Sequence, residues 1–76
     1  MNSSLADLKA KEKAEILFLK AKGEIRRRLL DMGLVKGVEV QVVRKAPLGD
    51  PIEIHLKGFN MSLRKEEAQN IMVKKI

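Results

Sequence analysis

A short helix enclosed by glycine turns is the feature that most limits how this chain can fold. Residues 24–37 read EIRRRLLDMGLVKG, so a helix, a glycine stop and a second glycine turn occupy fourteen positions before a valine-rich strand begins. The stretch contains no Ser, Cys, His or Tyr, and so it holds no set of catalytic side chains. The part of the chain with the most local information therefore specifies shape and surface, which favours a binding module over an enzyme.

The helix has one apolar stripe and a defined end. At about 100° per residue, Ile25, Leu29 and Met32 fall on one narrow stripe, so we expect these three side chains in the core. Gly33 is expected in the left-handed conformation that stops a helix, with Leu34 packing back on the last turn as in a Schellman motif.

Alternating apolar residues predict that the rest of the chain is mainly β. Segment 14–19 is apolar on both faces, which predicts a central strand. Three further segments alternate with a period of two, and a short apolar segment predicts a last strand. These segments are 38–42, 52–56, 59–63 and 71–73. Segment 45–51 is a predicted loop, Gly58 marks a turn, and Ser62 is a candidate cap for a second short helix over residues 64–70.

Five short strands with two short helices predict a mainly β fold with one small core. An open sheet of this size would leave exposed edges, so the expected architecture is a small, strongly bent barrel of the SH3-like kind. Seventy-six residues allow one domain, and we expect it to span residues 1–76. Ser4 and Asp7 have the spacing of a capping motif, which would turn Leu5 and Leu8 inward.

The basic composition raises the question of nucleic acid. The net charge is +6, but ten acidic residues are interspersed among the sixteen lysines and arginines. Phe18 and Phe59 are the only aromatic residues, and both are expected in the core, which leaves no stacking platform for single strands. RNA or DNA binding is therefore the alternative reading, and no nucleic acid is expected as partner.

No segment has the length of a signal peptide or a membrane span. The longest apolar run is Ile16 to Leu19, far shorter than the roughly 20 residues that cross a bilayer. The chain has no cysteine, which fits a reducing compartment. We therefore expect a cytoplasmic protein without direct membrane insertion.

The residues give little support to a metal site, a cofactor site or a catalytic site. His55 is the only histidine, and it lies on the polar side of its strand beside Lys57. Ferrous iron requires several His or carboxylate ligands, so neither a metal site nor a cofactor is expected. The methionines at positions 1, 32, 61 and 72 are interpreted mainly as gap-fillers of the core. One histidine and the serines do not make a supported nucleophile–base pair, so the protein is expected not to be an enzyme.

The candidate partner-binding residues are Arg26, Arg27 and Leu30. Leu30 points roughly 130° away from the apolar stripe, between the directions of the two arginines. An apolar residue flanked by arginines on an exposed face is typical of a protein–protein hot spot. Two alternatives stay open: Leu30 could pack under loop 46–51, and the arginines could form a solvated face in which Arg27 and Arg28 reach Asp31.

Four strings of the chain are informative together: LADLKAKEKA at 5–14, RRRLLDMGL at 26–34, APLGDP at 46–51 and SLRKEEA at 62–68. With these strings the chain resembles the FeoA family, the small accessory proteins of ferrous iron transport. The resemblance implies an SH3-like barrel with a helix inserted after the first strand. It also implies a partner, the FeoB membrane transporter with its cytoplasmic GTPase domain, which the small protein would modulate or assemble without catalysis.

The chain departs from the family in one turn. The family usually has a glycine there, where this chain has Lys9-Ala10-Lys11. If Lys11 adopts the left-handed conformation, the strain is on the order of 1 kcal/mol.

Overall fold

Six strands and two short α-helices make up the computed structural model, which describes residues 3–76. The strands are β1 (Ser3–Ser4), β2 (Lys13–Leu19), β3 (Glu39–Lys45), β4 (Ile52–Leu56), β5 (Phe59–Leu63) and β6 (Ile71–Lys75). The helices are α1 (Gly23–Asp31) and α2 (Lys65–Ala68), and a single 3₁₀ turn covers Leu5–Asp7. The mainly β architecture with two short helices is confirmed, with β1 as a strand beyond the five expected. Met1 lies outside the described residues.

The strands form one antiparallel sheet in the order β1-β6-β2-β3-β4-β5. Two register shifts interrupt it, one in β2 between Ile16 and Phe18 and one in β3 between Val42 and Arg44. Such shifts place an extra residue in one strand and sharpen its bend. They let a sheet of short strands curve around its own inner face, which is the bending expected of a small barrel.

The inner face of the sheet and the connecting segments supply the core. Its members are apolar and almost fully buried, and they come from every strand of five residues or more. The largest are Leu5, Ile16, Leu29, Leu34, Val40, Val42, Ile52, Ile54, Leu63, Ile71 and Val73. Leu5 and Leu8 are both buried, as the capping motif predicted. The Ser4 backbone N–H and hydroxyl donate to Asp7 Oδ2 at 3.0 and 3.2 Å.

The turn before β2 uses the left-handed conformation without glycine. Lys11 has φ 74°, and its N–H donates to the carbonyl of Val42 at 2.6 Å. This hydrogen bond ties the turn to β3 and offsets a strain of about 1–2 kcal/mol for a non-glycine residue.

Both phenylalanines are exposed, so their expected place in the core is wrong. Phe18 is 48% exposed and Phe59 is 69% exposed. Phe18 follows the register shift in β2, which turns its side chain to the outer surface, and Phe59 begins β5 at the end of a hairpin. Strand β2 is central in the sheet as predicted, but its outer face is not covered.

The end of α1 matches the predicted Schellman stop. Gly33 has φ 92°, its N–H donates to Leu30 O at 2.9 Å, and the Leu34 N–H donates to Leu29 O at 3.1 Å. Leu34 is fully buried, as this motif requires. The predicted stripe is wrong at Ile25, which is 48% exposed although Leu29 one turn later is fully buried. The helix therefore leaves the core at its first turn.

Loop 46–51 is fastened to α2. The Gly49 N–H donates to Ala46 O at 2.7 Å, which closes a turn. Asp50 Oδ1 accepts from the Lys65 N–H at 3.0 Å, and Asp50 Oδ2 lies 3.5 Å from an Arg64 guanidinium nitrogen. Ser62 belongs to β5, so the predicted cap at that position is wrong. Two carboxylates cap α2 instead: Glu67 Oε1 accepts from the Arg64 N–H at 2.9 Å, and Asp50 accepts from the Lys65 N–H.

Candidate partner-binding site

Helix α1 presents two different faces. Leu29 is buried and Met32, just past the helix, packs on the core, so one side of the helix is committed to the fold. Positions 23, 26, 27, 30 and 31 follow the spacing i, i+3, i+4, i+7, i+8, which places them together on another face. This second face is free to meet another molecule.

The free face of α1 contains a shallow hollow of about 310 Å³. Its lining consists of Gly23, Arg26, Arg27, Leu30 and Asp31, and we call it the α1 hollow. Leu30 is 36% exposed and supplies its apolar side chain. Apart from its chain neighbours and the backbone of its own helix, no atom lies within 4 Å of the place where a side chain at Gly23 would begin, so this end of the hollow is open. The three candidate residues therefore share one concave surface.

The α1 hollow carries more positive than negative charge. Within residues 3–76, neither Arg26 nor Arg27 forms an ion pair. Arg28 pairs instead with Glu67 of α2, at 3.4 Å between Nη1 and Oε2. The predicted reach of Arg27 and Arg28 to Asp31 is therefore wrong, because Arg28 points toward the second helix. Two guanidinium groups remain available beside an apolar floor.

The loop at 46–51 does not contribute to the α1 hollow, whose lining comes from the helix alone. The loop carries its own apolar residue, Leu48, which is 92% exposed at the tip. A second depression of about 290 Å³ lies at the base of this loop. Its charges bond within the protein, since Arg44 lies 3.5 Å from Glu53 and Lys45 Nζ donates to Ala6 O at 2.7 Å.

His55 is exposed on β4, in keeping with its assignment to the polar face. Its Nδ1 lies 2.5 Å from Oδ1 of Asn60 on the neighbouring strand. Glu53, the nearest carboxylate along β4, faces Arg44. In the described part of the chain, no three His, Asp or Glu side chains come together as a metal-binding group. Met32 and Met61 pack against the core as interpreted.

Sequence reasoning found the arginines and Leu30 but not Gly23 and Asp31 as members of the same surface. The signal was present in their spacing, since Gly23 lies three, four and seven positions before Arg26, Arg27 and Leu30. Asp31 lies four positions after Arg27 and eight after Gly23, on the same helical face. An apolar floor with two cationic flanks is suited to receive an apolar side chain that has an acidic neighbour.

Neither helix within residues 3–76 has the length and the apolar character that a membrane-spanning helix needs.

Comparison with known proteins gives one consistent family. The FeoA domain model matches residues 3–75. The chain is 39% identical over 72 residues to the Fe(2+) transport protein A/Fe(2+) transporter FeoB fusion protein of Porphyromonas gingivalis. This match covers 95% of the chain but only 8% of that fusion protein.

Solved structures agree with the family match. An FeoA-like protein from Clostridium acetobutylicum superimposes with a TM-score of 0.92 at 37% identity, covering 99% of this chain and 87% of that one. FeoA of Stenotrophomonas maltophilia, complexed with zinc and described as a procaryotic SH3 domain protein, superimposes with a TM-score of 0.82 at 32% identity. That match covers 93% of this chain and 88% of the other, and the fold is SH3-like.

Proposed function

The chain belongs to the FeoA family of ferrous iron transport, and we propose that it is a non-enzymatic module that docks on a FeoB-type transporter. In Porphyromonas gingivalis a related segment and a FeoB transporter are parts of one polypeptide. Joining two domains in one chain raises their effective concentration, which favours a weak contact between them. We infer that the domain makes this contact through its own surface, at the cytoplasmic side where the GTPase domain would be.

The docking surface of this proposal is the α1 hollow, with Arg26, Arg27 and Leu30 as its partner-binding residues. The observation that carries the proposal is an apolar floor beside two arginines without intramolecular ion pairs. A few anchor residues in well-packed, dehydrated pockets carry most of the energy of protein interfaces, and arginine is enriched among them. An apolar side chain of the transporter with a carboxylate nearby would fill the hollow and pair with an arginine.

The direct test is a titration of the protein with the cytoplasmic GTPase domain of the transporter from the same organism, followed by calorimetry with and without GTP. If Leu30 is an anchor, Leu30→Gln should make the free energy of binding less favourable by about 2 kcal/mol. Leu48→Gln is the matched control, because it makes the same change at a leucine that is more exposed and lies outside the α1 hollow.

Charge reversal tests the arginines separately. Arg27→Glu should slow association and make it depend strongly on salt, because long-range attraction acts mainly on the on-rate. Lys36→Glu makes the same charge change at an exposed position outside the hollow, so it should have a smaller effect.

Two outcomes would contradict the docking surface. If Leu48→Gln weakens binding and Leu30→Gln does not, the contact lies on loop 46–51. If neither change affects binding and both variants melt like the wild type, the helix is ordinary solvated surface. If the unmodified protein does not bind the GTPase domain either with or without GTP, the proposed function itself is wrong.

Binding of RNA or DNA stays the second candidate, and the exposure of Phe18 and Phe59 favours it more than the sequence did. The two rings belong to β2 and β5, which β3 and β4 separate in the sheet, so they do not form one continuous stacking platform. Fluorescence anisotropy with a labelled single-stranded RNA would decide between the candidates. Nucleic-acid affinity should fall steeply with salt, in proportion to the phosphates neutralised.

A further inference from the structure

The sheet has one long free edge. In the strand order the edges are β1 and β5, and β1 has only two residues. Strand β5 has five residues and pairs with β4 along its whole length, from Phe59 opposite Leu56 to Leu63 opposite Ile52. Its other side pairs with no strand of the described chain.

The hairpin register tells which backbone groups point away from the sheet. Lys57 and Gly58 form a two-residue turn with φ 48° and 83°, so the flanking pair Leu56/Phe59 exchanges hydrogen bonds. Hydrogen-bonded and non-hydrogen-bonded pairs alternate from there. The N–H and C=O groups of Asn60 and Ser62 therefore point outward, and they make no backbone bond to another element among residues 3–76.

Strand β5 lacks the usual protection of an edge. Natural edge strands carry charged side chains, proline or a bulge, which prevent pairing with another chain. Residues 59–63 read FNMSL, without a charge or a proline. Their pairing with β4 also runs without a register shift, in contrast to those of β2 with β6 and of β3 with β4. The outward backbone groups are therefore open to a further strand.

We propose that β5 binds an extended peptide segment of a partner protein as an added strand, and that this segment is acidic at its ends. Lys57 and Lys65 lie just beyond the two ends of β5, are exposed, and form no ion pair in the described structure. Exposed Phe59 offers an apolar contact at the hairpin end. Backbone bonds would supply affinity, and the lysines and Phe59 would supply selectivity.

A second copy of this chain fits the edge less well than an acidic segment. Pairing β5 with itself about a two-fold axis at Met61 would bring Lys57 of one copy near Lys65 of the other. Each copy also carries a net charge of +6, so like charges oppose the approach. A contact of five residues per copy would bury far less than the roughly 1,200 Å² of surface that a stable interface needs.

The proposal is independent of the α1 hollow because it uses a different element, and a peptide can test it. The probe is the synthetic peptide EEVTVTVEE, titrated into ¹⁵N-labelled protein while amide shifts and amide hydrogen exchange are recorded. The amides of Asn60 and Ser62 should shift, and their exchange should slow on binding. Shifts confined to other parts of the protein would overturn the proposal, as would the absence of any shift.

A matched pair of variants separates the backbone from the side chain. Ser62→Pro removes an outward N–H that the β4 pairing does not use, so the fold should survive while peptide affinity falls by about tenfold or more. Ser62→Thr keeps the N–H and should bind like the wild type. If the proline variant binds as well as the threonine variant, the edge is not the site. A melting curve and an amide spectrum establish that both variants are folded.

Charge exchange tests the chemistry of the segment. The double variant Lys57→Glu with Lys65→Glu should lose the preference for EEVTVTVEE and gain one for KKVTVTVKK. An unchanged preference would refute the role of the lysines. Sedimentation of the protein alone tests the competing occupant: a dimer that Ser62→Pro abolishes would show that a second copy uses this edge, and would overturn the proposal.

Discussion

Replacing Gly33 by valine should destabilise the protein through the backbone alone. Gly33 has φ 92°, and no atom lies within 4 Å of an added Cβ. The Cβ of a substituted residue therefore meets no neighbouring element, and the main penalty expected for valine comes from holding a β-branched residue at positive φ. Two hydrogen bonds depend on this conformation: the Gly33 N–H donates to Leu30 O, and the Leu34 N–H donates to Leu29 O.

The magnitude follows from two opposing terms. Strain at such a backbone position costs about 1–3 kcal/mol. Valine also restricts the unfolded chain, which returns about 0.4–1 kcal/mol. Near the middle of both ranges, the net loss of unfolding free energy is about 1–2 kcal/mol, which should lower the melting temperature by roughly 5–15 °C in a domain of this size. If the stop breaks and exposes buried Leu34, the loss would be larger.

Thermal melts by circular dichroism, supported by urea titrations, measure this loss. The control series is Gly33→Asn and Gly33→Ala at the same open site. Asparagine tolerates positive φ best, so the order of stability should be Gly, Asn, Ala, Val. A valine variant that melts within about two degrees of the wild type would refute the reasoning, and so would equal losses for asparagine and valine, since strain would then not be the cause.

Three further predictions concern stability. Asp50→Ala removes the acceptor of the Lys65 N–H and should cost about 1 kcal/mol in urea unfolding, whereas Glu66→Ala, which removes an exposed side chain without an ion pair, should cost less. Dialysis against a strong chelator should leave the circular dichroism and the melting temperature unchanged, and a large loss of structure would reopen His55 as a ligand. The hydrogen bond from Lys75, followed by that from the Lys9 backbone, lowers the pKa of Glu12 below its usual 4.5. The folded pKa is thus below the unfolded one, so this stabilisation is present above about pH 4.5 and is lost as pH falls through the folded pKa. Urea midpoints at neutral and acid pH should therefore differ less in Glu12→Gln, and equal pH dependence in both proteins would contradict this.

Local patterns account for the parts of the fold that were predicted well. Strands 52–56 and 59–63 have the predicted bounds, because two-residue alternation and the Gly58 turn act within a few positions. The Gly33 stop was equally local. The cap of α2 was only partly local: Glu67 Oε1 accepts from the Arg64 N–H three positions away, whereas Asp50 lies fifteen positions from Lys65 and no short motif joins them.

The sequence by itself determined the mainly β class and the helix end at Gly33, since both depend on side chains near one another in the chain, and strings along residues 5–68 indicated the family. Only the tertiary structure decided which apolar residues are covered. Ile25, Phe18 and Phe59 follow core-like patterns but are exposed, because a helix that leaves the core, a register shift and a hairpin end each turn a side chain to solvent. The α1 hollow and the free edge of β5 were likewise visible only in the tertiary structure. A periodic pattern states which residues share a face, whereas the packing of distant elements determines whether anything covers it.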